Sequence, residues 1–259
     1  MRVRLCLLAL ALACCVQAQA EPARYVPIPA GSFSSVLSGG SAANLPVRVA
    51  PFALRETPVT NGEYLAFLAA HPEWTKAEIP AVFADASYLS RLPATPLSAA
   101  DARRPVTSVS WFAAQAFCEA EGARLPTWYE WEYVAAADAK RRDARSDPAW
   151  RSAILSWYAR ANPAQLPQVG AAKNAYGVRD MHGLVWEWVD DFNALLVSAD
   201  SRNQGDPSKL QYCGAGAISL QDRENFAVLM RVALLSALNG TSTTDNLGFR
   251  CARALNKEP

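Results

Sequence analysis

The chain has 259 residues with 25 basic and 24 acidic side chains, so it is close to neutral. That balance offers no clustered basic face, which argues against a duplex nucleic acid or an anionic membrane as the partner. Eight Trp, eight Tyr and nine Phe suit a packed interior with many polar-tipped rings.

Residues 1–20 read as a signal peptide. Arg2 and Arg4 give a basic start, Leu5 to Cys15 an apolar run, and Ala18-Gln19-Ala20 a small-residue cleavage site. The run is too short for a stop-transfer helix. Cys14 and Cys15 follow Leu12-Ala13, which offers lipid attachment as an alternative fate. Without Arg2 and Arg4 the remainder sits near minus one. Residues 21–259 contain no internal repeat or linker and read as a single domain. No other stretch approaches the length of a transmembrane segment.

Residues 21–55 read as short extended pieces punctuated by Pro27, Pro29 and Gly31. Thr60 caps a helix, with Glu63 in the capping-box position and Tyr64, Phe67 and Leu68 facing inward. Residues 75–104 hold several prolines and little periodicity. They read as a long surface excursion over a pocket. Ser110 to Glu121 is a second helix packing through Phe112, Ala116 and Phe117, and Gly122 ends it. Thr127 and Glu130 form a second capping box before a helix that buries Trp131, Val134 and Ala135. Residues 138–147 are charged, and Trp150 to Tyr158 can form a short helix.

Leu184 to Val189 is a Trp-rich extended segment between two irregular stretches, 162–174 and 193–211. Ser219 to Leu238 fits a helix with Phe226, Met230, Ala233, Leu234 and Ala237 on one face. It also fits a buried strand entered from a short helix, and periodicity does not separate the two. Leu247 to Arg253 reads as one terminal strand.

Six cysteines fall to three after leader removal: Cys118, Cys213 and Cys251. An exported chain can pair two of them, and the sequence leaves all three pairings open. Three scattered cysteines with His71 and His182 do not supply a structural zinc site.

A set of motifs then runs in order along the chain. It comprises Pro29-Ala30-Gly31-Ser32-Phe33, Glu56 to Tyr64, Pro105 to Trp111, Gly122 to Thr127 with Glu130 to Tyr133, Tyr176 to Trp188, and Asn246 to Cys251. In these motifs the chain resembles the formylglycine-generating-enzyme-like, or sulfatase-modifying-factor, family. The resemblance implies an α+β fold related to C-type lectins, with mixed short strands and helices and long irregular loops.

The family's oxygen-using enzymes bind copper through two cysteines and oxidise a substrate cysteine to formylglycine. Counting back from Asn246, Arg231 matches a family arginine, and the two cysteine positions fall on Asp222 and Ala227. Neither side chain is a soft thiolate ligand. Copper-dependent formylglycine formation is therefore not expected. The iron-dependent relatives use a histidine set, and two histidines cannot complete it, so iron is not expected either. The resemblance implies an exported accessory or binding protein, periplasmic or secreted. Its type is nearest to members linked with siderophore maturation or respiratory enzymes. The partner would be a periplasmic protein, a peptide or a small-molecule precursor.

The alternative is a maturation enzyme whose pocket lies where the catalytic pair would have been. Its candidate lining is Trp111, Cys213, Ser219, Asp222, Arg223, Glu224 and Arg231. Arg231 would clamp a carboxylate or a peptide carbonyl, or else belong to an internal ion network. The resemblance also implies a Cys118–Cys251 disulfide and a structural calcium site. That site would use the Asp180 and Glu187 carboxylates with the Gly183 and Val185 carbonyls, all hard oxygen donors. The plainer reading is that Asp180 caps a turn and Glu187 makes a buried salt bridge. Asn239-Gly240-Thr241 matches a glycosylation triplet too common to carry weight.

Overall fold

The computed structural model describes residues 23–35, 46–193 and 226–255. The expected leader, the irregular stretch from residue 194, and Cys213, Ser219, Asp222, Arg223 and Glu224 lie outside them. Among the described residues the fold is α+β, with short strands, short helices and much irregular backbone. No helix there is long and apolar enough to cross a membrane.

Three small sheets organise the described residues. Strands β1 (Tyr25–Ile28) and β4 (Phe52–Arg55) pair antiparallel, and β7 (Ala252–Ala254) joins the other edge of β4. The central strand β4 is buried at all four positions because it is covered on both faces. Strands β2 (Gly31–Phe33) and β3 (Val47–Val49) form an antiparallel pair. Strands β5 (Trp186–Glu187) and β6 (Leu247–Gly248) form a parallel pair of two residues each. The expected single strand over 247–253 is therefore two strands in different sheets. Phe249 and Arg250 turn inward between them, both fully buried.

Both capping boxes form. Thr60 accepts the Glu63 N–H ahead of α1 (Asn61–Ala70), and Thr127 accepts the Glu130 N–H ahead of α4 (Trp128–Ala135). In each box the glutamate returns a hydrogen bond to the cap backbone. Helix α2 (Ala99–Ala102) is one turn capped by Ser98, and α3 (Trp111–Ala120) is capped by Ser110. Asp147 caps α5 (Pro148–Tyr158), which therefore begins earlier than the Trp pattern alone indicated.

The segment from Phe226 to Ser236 is helix α6, which settles the helix-or-strand choice. Its inward face is not the apolar stripe expected from periodicity. Met230 is 40% exposed, whereas Arg231 and Leu235 are buried. The stripe failed because Arg231 has partners in the core, so the polar residue outranks its apolar neighbours.

Tyr64, Phe67, Phe117 and Phe249 form the aromatic heart of the core, with ring centroids 5.3–6.2 Å apart. The 75–104 excursion is pinned over it. The Tyr88 hydroxyl donates to the Trp74 carbonyl at 2.9 Å and takes the Tyr64 hydroxyl at 2.7 Å. Asp85 accepts from the Thr243 N–H and hydroxyl, and its own N–H donates to the Thr241 carbonyl.

Cys118 on α3 and Cys251 ahead of β7 are joined by a disulfide across 133 residues of sequence. Both are fully buried. Closing a loop of that length in the unfolded chain stabilises the fold by about 5 kcal/mol on the chain-entropy estimate. A Cys118→Ala/Cys251→Ala double variant is expected to lose roughly 3–5 kcal/mol of unfolding free energy in a urea titration.

Candidate functional site

The Trp186-Glu187-Trp188 and Gly248-Phe249-Arg250 stretches meet through the parallel β5–β6 pair. Trp186 N–H donates to the Asn246 carbonyl at 2.8 Å, and Trp188 N–H to the Gly248 carbonyl at 3.0 Å. Gly248 also lets the Val106 backbone approach β6: a Cβ there would stand 2.5 Å from the Val106 carbonyl oxygen. The pairing sets the Glu187 carboxylate against the Arg250 guanidinium, both fully buried.

Arg250 holds Glu187 with a two-pronged grip. Nε donates to Oε2 at 2.8 Å and Nη2 to Oε1 at 2.7 Å. Its remaining donors reach the carbonyls of Arg55, Glu56, Arg179 and Asp180 at 3.0–3.3 Å. One side chain thereby ties the end of β4 to the 179–180 turn and to β5. Trp131 Nε1 adds a third donor to Glu187, at 2.8 Å.

A second guanidinium enters the same region. Arg231 is 1% exposed, donates through Nη2 to the Glu187 backbone carbonyl, and lies 3.6 Å over the Trp131 ring. Trp131 therefore serves both arginines, its N–H on the carboxylate that Arg250 holds and its π face beneath Arg231. Burial lowers the Arg231 pKa to about 10, so it keeps its charge at neutral pH. Its Nε has no acceptor among the described residues.

His182 stands edge-on to Trp131 and Trp150, at 5.7 and 5.8 Å. Nε2 lies 2.8 Å from the Ala135 carbonyl, which can only accept, so that nitrogen carries the proton. Burial pushes the His182 pKa down to about 4, keeping it neutral at pH 7.

The four calcium candidates lie on the 180–187 segment. Asp180 is buried with φ +57°. Its carboxylate accepts from Ala172 N–H at 2.9 Å and from Gly170 N–H, closing the 170–180 turn. Glu187 is held by Arg250 and Trp131 as above. Gly183 has φ +91°, and Val185 is buried beside it. Asp180 thus holds a turn and Glu187 is in a buried salt bridge. The oxygen chemistry suits a hard cation, but an ion there would have to displace backbone donors from Asp180. Among the described residues no group of three or more His, Cys, Asp or Glu side chains could hold a metal.

Of the expected pocket lining only Trp111 and Arg231 are described. Trp111 donates its ring N–H to the Val189 carbonyl at 2.9 Å, and Arg231 closes onto the Glu187 network. The two are not brought together around a shared acceptor. Sequence reading missed Arg250 and Trp131 as the centre of the arrangement. The available signal was a charged residue between Phe249 and Cys251, where burial demands a partner.

Replacing Glu187 by Gln removes the one carboxylate between two buried guanidiniums. The expected cost is about 3–5 kcal/mol, read by urea unfolding followed through Trp fluorescence.

The sulfatase-modifying factor enzyme 1-like domain family matches residues 13–255. The chain is 33% identical over 252 residues to a formylglycine-generating enzyme of Streptomyces coelicolor, covering 80% of this chain and 79% of that one. It is 27% identical over 285 aligned residues to an inactive C-alpha-formylglycine-generating enzyme 2 of Bos taurus, covering 92% and 91%. The crystal structure of CarF shares the fold at 18% identity, with a TM-score of 0.51 over 91% of this chain and 99% of CarF.

Proposed function

The chain belongs to the sulfatase-modifying factor enzyme 1-like family, and we propose that it uses that scaffold as an exported accessory or binding protein without copper-dependent formylglycine formation. The observation that carries this reading is the Cys118–Cys251 disulfide. With the leader removed, it leaves Cys213 as the one remaining cysteine. Copper chemistry of the family kind needs two thiolates side by side, and one chain then has a single thiol to offer. Asp222 and Ala227 at the matching positions support the same reading, as does similarity to a relative named inactive.

The partner is a periplasmic protein or peptide, with a small-molecule precursor as the other chemistry that the long loops of a lectin-related scaffold would suit. A turnover reading would need Arg231 as a clamp for substrate. Its place on Trp131 and the Glu187 carbonyl favours a structural role instead. Calcium bound by Asp180, Gly183, Val185 and Glu187 is part of the proposal and rests on the resemblance. Its expected contribution is order in the 170–187 loop.

Four measurements test these points. Thiol titration of the mature protein in denaturant is expected to give one thiol per chain. The native protein is expected to release copper(I) to a chelating competitor and to leave a sulfatase cysteine peptide unoxidised under oxygen. Copper(I) held by two thiolates would overturn the reading. Separately, protein dialysed against EDTA is expected to melt at a higher temperature once calcium is restored, with magnesium ineffective. Equal melting temperatures would leave the loop held by hydrogen bonds alone.

A further inference from the structure

The turn after α6 holds a chemical feature that the binding role does not use. Asn239 is exposed and is followed by Gly240. Three donors converge on its side-chain oxygen Oδ1: the Thr241 hydroxyl at 2.7 Å, the Ser242 hydroxyl at 3.0 Å and the Thr241 N–H at 3.2 Å. The backbone closes the same turn, with Ser242 N–H donating to the Asn239 carbonyl at 3.0 Å. The Gly240 N–H, by contrast, has no acceptor among the described residues.

Gly240 is fixed by packing. A Cβ there would fall 2.8 Å from the Phe112 ring. Its carbonyl accepts the Trp111 N–H at 3.0 Å, satisfying one of the free donors at the start of α3. Gly240 therefore sits tight against Phe112 beside an exposed asparagine, and a side chain there would push that ring aside. The Gly240 amide is also the N–H of the 239–242 turn that lacks a hydrogen-bond acceptor among the described residues.

From this arrangement we infer that Asn239 is a self-modifying site, converted in the folded protein through a succinimide to aspartate and isoaspartate. The Gly240 nitrogen, after losing its proton to solvent base, attacks Cγ of Asn239. The carbonyl electrons move onto Oδ1, where the two hydroxyls and the Thr241 N–H stabilise the developing oxyanion. Collapse expels the amide nitrogen, which takes up protons from water and leaves as ammonia. Water then opens the five-membered ring at either carbonyl. Opening at the backbone side inserts the side-chain carbon into the main chain. The net reaction exchanges the amide for a carboxylate, consuming water and releasing ammonia.

The products alter the local structure. The new carboxylate adds a negative charge to a turn that already faces Asp85 through Thr241 and Thr243. The isoaspartyl form also lengthens the backbone between α6 and the carbonyl that caps α3. Both changes loosen the pin that holds the 75–104 excursion.

The test compares rates in one preparation. Full-length mature protein is incubated at pH 8 either native or unfolded in urea. Conversion at Asn239 is followed by peptide mass mapping and by isoaspartyl methyltransferase labelling. Native conversion is expected to outrun the unfolded chain. A Thr241→Val/Ser242→Ala variant is expected to slow the native rate by about tenfold, below the 100-fold or more typical of a donor in an enclosed enzyme site. It should leave the urea rate unchanged. Asn239 surviving in the native protein while the unfolded chain converts would overturn the inference. So would a native rate indifferent to the loss of both hydroxyls. If the variant does not fold, the native-against-urea comparison of the parent protein still decides.

Discussion

A single carboxylate placed between two arginines out of reach of water is the constraint around which this protein is built. Glu187 neutralises Arg250 directly, and Arg231 is left with a carbonyl and an indole face. Removing both ions would be tolerable in principle, since well-packed apolar groups often replace a buried pair at no loss. Removing one would not, because the survivor would be stranded without water. The arrangement is therefore all-or-none, and it explains why β5 and β6 can be only two residues long. Their few ladder hydrogen bonds are supplemented by the fork of Arg250 on Glu187, whose other donors reach four carbonyls on two segments, 55–56 and 179–180.

Local structure was legible in the sequence where a short-range rule applied. The Thr60–Glu63 and Thr127–Glu130 capping boxes announce α1 and α4 within four residues each, and both form. The Cys118–Cys251 pair came only from the family resemblance, since counting cysteines left three pairings. What could not be read were features set by distant partners. The α6 stripe fell on Met230 by periodicity, whereas Arg231 turns inward because Trp131 and Glu187 await it. The terminal strand read as continuous because the one local signal, a charge between Phe249 and Cys251, does not name the distant partners that draw Arg250 out of the ladder. Asp180 and Glu187 were visible as a pair of hard oxygens, and sequence could not rank a cation against backbone N–H groups at Asp180 or against an arginine at Glu187.

The cover over the aromatic heart follows a similar logic with neutral groups. Tyr64 sits on α1, Tyr88 on the excursion, and their hydroxyls meet in the interior. Because Tyr88 donates to the Trp74 carbonyl, Tyr64 must donate to Tyr88, so the chain of hydrogen bonds runs one way. Burial raises the pKa of both phenols, which keeps them neutral donors. The excursion is thus ordered by polar contacts at its rim and by rings beneath, with the single turn of α2 as its regular secondary structure.

The position of the disulfide has a topological consequence. Trp131, His182, Glu187, Arg231 and Arg250 all lie between Cys118 and Cys251 in sequence, so the sulfur bridge closes them into one covalent ring. Strands β1 to β4 and the excursion hang outside it. Tension applied at the two ends of the chain would cross the bridge directly and bypass the ring. The outer sheet could then be peeled away while the charged centre stays enclosed, giving the fold a mechanically sheltered interior and a separable rim.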